Sequence, residues 1–162
     1  MNDKTITPSR RSEAVEVLKK LLRYNQIITP DILYIALQDN GFNEDERCRL
    51  AGAILRTAKA NGWTEKTPLA KRSKRNHSNH GTVWKSLLYA VKRGGNTITE
   101  AALNRERRRW LDSGYLTQSD LVQFAAYEIS RREVASNPEL LKLSMPTEKD
   151  CVGTGIGLER IQ

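Results

Sequence analysis

Lys71, Arg72, Lys74 and Arg75 place four cations in five positions, and the chain then continues as "NHSNHGTVW". Two chemistries suit these residue types. His77 and His80 are three residues apart, and each can offer a ring nitrogen to a metal. No Cys, Asp or Glu lies close by in sequence to complete the four ligands of a tetrahedral site. Polar loop histidines are therefore the preferred reading, and no metal or other cofactor is expected. The second chemistry is contact with a polyanion. Lysine and arginine make charge-assisted hydrogen bonds to phosphate, and Asn76 and Asn79 add neutral ones. His77 and His80 are further candidates for contact with phosphate.

A second basic run, "RERRRW", spans residues 105–110. At helical spacing Arg105, Arg108 and Arg109 share a face, and Glu100, Glu106 and Asp112 are near enough to pair with them. A salt-bridged helix is favoured over a second polyanion surface. Catalysis is not expected. No Gly-rich loop leads into Lys-Ser/Thr, and "GTGIGLER" lacks the strand and helix that frame a dinucleotide fingerprint. Neither a Ser/His/Asp nor a Cys/His arrangement is suggested.

The position of the charge says more than its total. The chain has 162 residues and a net charge of +8. Residues 47–93 hold twelve Lys/Arg and a single acid, Glu65, whereas each flanking segment is near neutral or slightly acidic. Concentrated basic charge implies a polyanionic partner and is silent on fold. Cys48 and Cys151 match no metal or redox spacing, which fits a reduced, cytoplasmic protein. No apolar run approaches the roughly 20 residues that span a bilayer, so no membrane partner is expected. The opening "MNDKTITPSRR" lacks the apolar core of a signal peptide.

The elements that must position these residues are mostly helical. "SEAVEVLKKLLRYN" predicts a first helix capped by Ser12, with Ala14, Val17, Leu18, Leu21 and Leu22 as its apolar stripe. "TPDILYIALQDNG" predicts a second, with Thr29 as cap, Pro30 in the first turn and Gly41 at the end. "NEDERCRLAGAILRTAKANG" predicts a third, opened by an Asn43/Glu46 capping box and closed by Asn61-Gly62. On a helical wheel Leu50, Ala51, Ile54 and Ala58 face one side. Arg49, Gly52, Ala53, Arg56, Lys59 and Ala60 face the other, with long cations flanking small residues. Next, a strand around residues 67–74 is expected to pair with one around 82–89 across "RNHSNHG". A helix over "VWKSLLYAVKR" is the alternative, and the strand is preferred. Gly94-Gly95 marks a linker. Two more helices follow, capped by Thr99 and by Thr117 with Asp120. The second of these carries a stripe of Leu121, Phe124, Ala125, Glu128 and Ile129. Pro138 is a candidate start for a short further helix.

Three short helices and then a hairpin with a basic tip give a recognisable order. Residues 29–90 resemble winged helix-turn-helix domains of the kind found in bacterial regulators and in phage or mobile-element proteins. The segments that carry the resemblance are "TPDILYIALQDNGF", "ERCRLAGAILRTAKANGW" and "SKRNHSNHGTVW". It implies a mostly α fold with a small β-hairpin, a winged-helix-like domain with an N-terminal arm over residues 1–93. Beyond it the patterning gives a C-terminal helical region over 96–145 and a flexible or docked tail over 146–162. It also implies duplex DNA as the partner, with the third helix in the major groove. Arg49 and Arg56 would then read bases, with Lys59 beside them. Lys71, Arg72, Lys74, Arg75, Asn76, His77, Asn79 and His80 would meet the backbone. The acids of "QDNGFNEDER" would have to point away from phosphate. RNA and an acidic protein are the rival partners, and the C-terminal helices are candidates for self-association or recruitment of another protein.

Overall fold

The computed structural model describes residues 5–75, 79–90, 97–137 and 139. Asn76, His77, Gly94-Gly95, Pro138, Cys151 and the expected tail lie outside the described residues. The chain divides into two compact units, residues 1–121 and 122–162. It is mostly helical, with a small antiparallel sheet, as the patterning predicts.

In the first unit, α1 covers Pro8–Tyr24. Its cap is Thr7, whose hydroxyl accepts from the Arg10 N–H at 3.2 Å; the expected cap, Ser12, lies inside the helix. Pro8 explains the earlier start, because its fixed φ suits the first turn and its missing N–H costs nothing there. Ala14, Leu18, Leu21 and Leu22 are buried. A two-residue strand follows, β1 (Ile27–Ile28), too short for periodicity to reveal and not expected from the sequence. α2 (Pro30–Asp39) is capped by Thr29 as expected. α3 (Glu44–Ala60) opens on the expected capping box: Glu46 N–H donates to Asn43 Oδ1 at 2.9 Å, and Asn43 N–H to Glu46 Oε2 at 2.9 Å.

β2 (Thr64–Arg72) and β3 (His80–Ser86) form the hairpin, both beginning earlier than the expected 67–74 and 82–89. The strand, not the helical alternative, holds for residues 83–86. The sheet order is β1-β3-β2, entirely antiparallel. Register runs from Thr64↔Ser86 to Arg72↔His80 with an irregularity between Lys66 and Ala70. Pro68 lies there and has no N–H to give the ladder. Thr67 compensates: its hydroxyl donates to the Val83 carbonyl at 2.7 Å and accepts from the Leu69 N–H at 3.2 Å.

α4 (Glu100–Ser113) packs on α1 and ends at Gly114, whose φ of 77° is left-handed. Trp110 is its buried anchor; the indole N–H donates to Glu106 Oε1 at 3.0 Å, and the ring meets Tyr115 edge-on. α5 (Gln118–Ser136) begins at the expected Thr117/Asp120 box and continues into the second unit. In that unit Phe124 is buried beside Tyr127, with ring centres 6.4 Å apart. Of the expected stripe, Phe124 is buried and Leu121 and Glu128 are half-buried, whereas Ala125 and Ile129 are exposed. Among the described residues no helix is long and apolar enough to cross a membrane.

Candidate nucleic-acid interface

α3 buries Leu50, Ala51, Ile54, Leu55 and Ala58 and so turns Cys48, Arg49, Gly52, Arg56, Lys59 and Ala60 outward. Its three outward cations differ in what they meet. Arg49 Nε lies 3.4 Å from Asp45 Oδ1, one turn back. Arg56 and Lys59 make no hydrogen bond or ion pair among the described residues. Gly52 lies between the cations on this face. The nearest group to where its Cβ would stand is Arg56 Nη1, at 3.7 Å, so packing within the chain does not require glycine there.

Not all the acids at the start of α3 face outward. Glu46 turns to Arg10 of α1, with Nε and Oε1 2.9 Å apart, and the Arg10 guanidinium lies 3.8 Å from the Phe42 ring centre. The Arg10 hydrogen bond first, and the Asn43 N–H second, hold the Glu46 carboxyl below its ordinary pKa. Arg47 also turns inward, donating to Gln38 Oε1 at 2.6 Å and lying 4.4 Å from the Tyr34 ring centre.

The cations near the hairpin tip are held by the protein itself, around Asp31 in the first turn of α2. Asp31 is 9% exposed. A carboxylate removed from water to that degree needs donors, and it has them. Ser73 Oγ and the Lys74 N–H each donate at 2.9 Å, and Arg75 Nε lies 3.7 Å away. Arg75 also stacks 3.8 Å from the centre of the Tyr34 ring, so one ring receives Arg47 from α3 and Arg75 from the hairpin. Burial raises the Tyr34 hydroxyl pKa, with Arg47 opposing that shift. Asn79 closes the tip by accepting from the Ser73 N–H at 3.0 Å. Lys71 pairs with Asp120, and Lys74 Nζ donates to the Ser113 carbonyl at 2.8 Å. Arg72 and His80 are exposed, facing each other in the β2–β3 register. The fold thus gathers Lys71, Lys74, Arg75 and Asn79 at one end of α2. Arg56 and Lys59 form a separate group.

Asp31 and Tyr34 were missed as organisers of the hairpin. In sequence, Asp31 reads only as a favourable first-turn acid, and nothing singles out Tyr34. Their partners lie more than 40 residues away in the case of Ser73 and Lys74, beyond the reach of any local pattern.

On α4, Arg109 pairs with Asp39 and with Glu106. Glu106 is turned inward by Trp110 and by Asn25, which donates at 3.4 Å. Arg107 bonds Asn104, whereas Arg105 and Arg108 have no partner among the described residues. The expected salt-bridged helix therefore holds for Arg109 but not for these two. They line an open groove of about 630 Å³ with Arg107, Leu111 and Leu121. Comparison of the chain with protein-family models, curated proteins and solved structures gave no match.

Proposed function

We propose that this chain is a non-catalytic duplex DNA-binding protein whose third helix enters the major groove with the β2–β3 hairpin alongside. The order α1-β1-α2-α3-β2-β3, with β3 central in the sheet, supports the winged-helix reading. The observation that carries it is the outward face of α3. Arg56 and Lys59 have no protein partner among the described residues and stand beside small Gly52 and Ala60. Long cations reach phosphates or guanine edges while small residues allow a helix to approach a groove closely.

Fluorescence anisotropy of a labelled duplex over a salt series tests this reading. Log affinity should fall linearly with log salt, and Arg56→Ala with Lys59→Ala should flatten the slope by about 1.8 if both meet phosphate. An unchanged slope together with unchanged affinity would remove α3 as the interface. Tighter binding to a structured RNA at the same salt would move the reading to RNA.

One observation favours a second partner. The α4 groove is lined by Arg105, Arg107 and Arg108, one acid, Asp112, and the apolar Leu111 and Leu121, a net positive lining that suits an acidic peptide with an apolar face. Arg105→Glu with Arg108→Glu should then abolish capture of such a peptide and leave duplex affinity at α3 intact.

A further inference from the structure

The elbow between α4 and α5 reaches back to the hairpin at two lysines. Asp120 Oδ2 accepts from the Thr117 N–H at 2.8 Å, which caps α5, and the same oxygen holds the Lys71 ammonium. Both side chains of that ion pair are only 15% exposed. At the other end of the elbow, Lys74 Nζ donates to the Ser113 carbonyl at 2.8 Å and lies 4.8 Å from the centre of the Tyr115 ring. The approach is close: a Cβ on Gly114 would stand 3.0 Å from Lys74 Nζ. The residues that engage the two lysines thus come from the end of α4 and the start of α5, 39 and 49 positions further along the chain.

These contacts bear on availability. An ammonium held against a carboxylate at this burial has its charge largely neutralised, and a phosphate reaching Lys71 would meet the Asp120 carboxylate at the same place. Lys74, exposed and bonded to a neutral carbonyl, keeps its charge and marks only where the elbow touches the hairpin. A purely mechanical brace between elbow and hairpin would need only apolar contact. Here the bracing groups are an anion, a carbonyl and an aromatic face, each of which satisfies a cation.

We propose that the α4–α5 elbow is an autoinhibitory latch, withholding Lys71 from nucleic-acid phosphate until it is released. This rests on the DNA-binding reading and adds the regulation of that site. In the latched protein the contact is made without Lys71; release adds it.

The test is a double-mutant cycle on full-length protein, read by anisotropy of a labelled duplex. Asp120→Asn keeps an oxygen for the Thr117 N–H and removes the charge that holds Lys71. It should raise affinity and steepen the salt slope by about 0.9, so that affinity gains about threefold more than wild type between about 200 and about 50 mM salt. Lys71→Met alone should leave the slope unchanged, because the latched lysine is not on the DNA. In the Asp120→Asn background Lys71→Met should erase the gain. A gain that survives in the double variant would not act through Lys71, and a shallower slope in Lys71→Met alone would mark a general effect of net charge; either would overturn the latch. So would an unchanged slope in Asp120→Asn while wild type binds DNA in a salt-dependent way, an outcome that leaves the DNA reading standing. Absence of salt-dependent duplex binding by both proteins would overturn both. If Asp120→Asn does not fold, Asp120→Ser, which retains a hydroxyl at the capping position, carries the same expectations.

Discussion

The outer face of α3 and the tip of the β2–β3 hairpin are both basic, yet the fold treats their charge in opposite ways. On α3, Arg56 and Lys59 have no hydrogen bond or ion pair among the described residues. At the hairpin, Lys71, Lys74 and Arg75 face Asp120, the Ser113 carbonyl and Asp31 respectively. Cations already satisfied by the protein contribute to rigidity first, and to recognition only if a ligand outcompetes their partners. Local charge density in the sequence therefore ranks the two regions in the wrong order of availability. The denser cluster, with four cations in five positions, is the more heavily engaged one.

The sharpest way to break this comparison is at Asp31. Asp31→Ala removes the acceptor for Ser73 Oγ and the Lys74 N–H and takes away the carboxylate opposite Arg75. Hydrogen bonds to a charged group contribute more than neutral ones, and the donors left behind are partly buried. The expected loss is about 2–3 kcal/mol, measured by urea unfolding. Arg56→Ala, by contrast, should change stability by less than about 0.5 kcal/mol, as an exposed substitution away from any packed feature. Equal losses at the two sites would erase the distinction between engaged and available charge.

Gly52→Ala probes the other side of the comparison with a smaller effect. Glycine inside a helix costs about 1 kcal/mol against alanine, and at 3.7 Å from Arg56 Nη1 the new methyl group meets only ordinary contact. The variant should therefore be more stable than wild type by up to that amount in thermal unfolding. If α3 approaches a groove closely at this turn, the same variant should bind duplex more weakly. A more stable protein with unchanged affinity would mean that this turn of α3 does not touch the ligand.

Much of the fold was legible, because helices announce themselves locally. The Thr29, Asn43, Thr99 and Thr117 caps and the buried stripe of α3 all follow from residues within four positions of one another. The start of α1 was misread because two acceptable caps, Thr7 and Ser12, lie close together and Pro8 decides between them. β1 was invisible, since two isoleucines acquire a strand's identity only from Trp84 and Lys85 across the sheet. The candidate site was legible as a set of residue types but not as a geometry. His80 and Arg72 read as parts of one basic tip and do share a ladder position. What separates Lys71 from Arg56 is a carboxylate 49 residues away, and nothing in either local segment signals it.

The smallest effect concerns the acids at the start of α3, which would have to avoid phosphate if this helix meets DNA. Glu46 is already committed: Arg10 and the Asn43 N–H hold its carboxylate and lower its pKa below the ordinary value. A carboxyl whose pKa is lower folded than unfolded adds stability above its unfolded pKa, and that stability is lost as pH falls through the folded one. Glu46→Gln can still accept from Asn43 and removes only the charge facing Arg10. The variant should be less stable at neutral pH by at most about 1 kcal/mol, as for a partly exposed pair. The gap to wild type should close as pH falls below the ordinary glutamate range, followed by thermal unfolding at a series of pH values. Because this charge is spent on α1, its removal should also leave the salt slope of duplex binding unchanged. A steeper slope in Glu46→Gln would mean that the carboxylate opposes phosphate from where it stands, and that the start of α3, not only its Arg56–Lys59 end, borders the ligand.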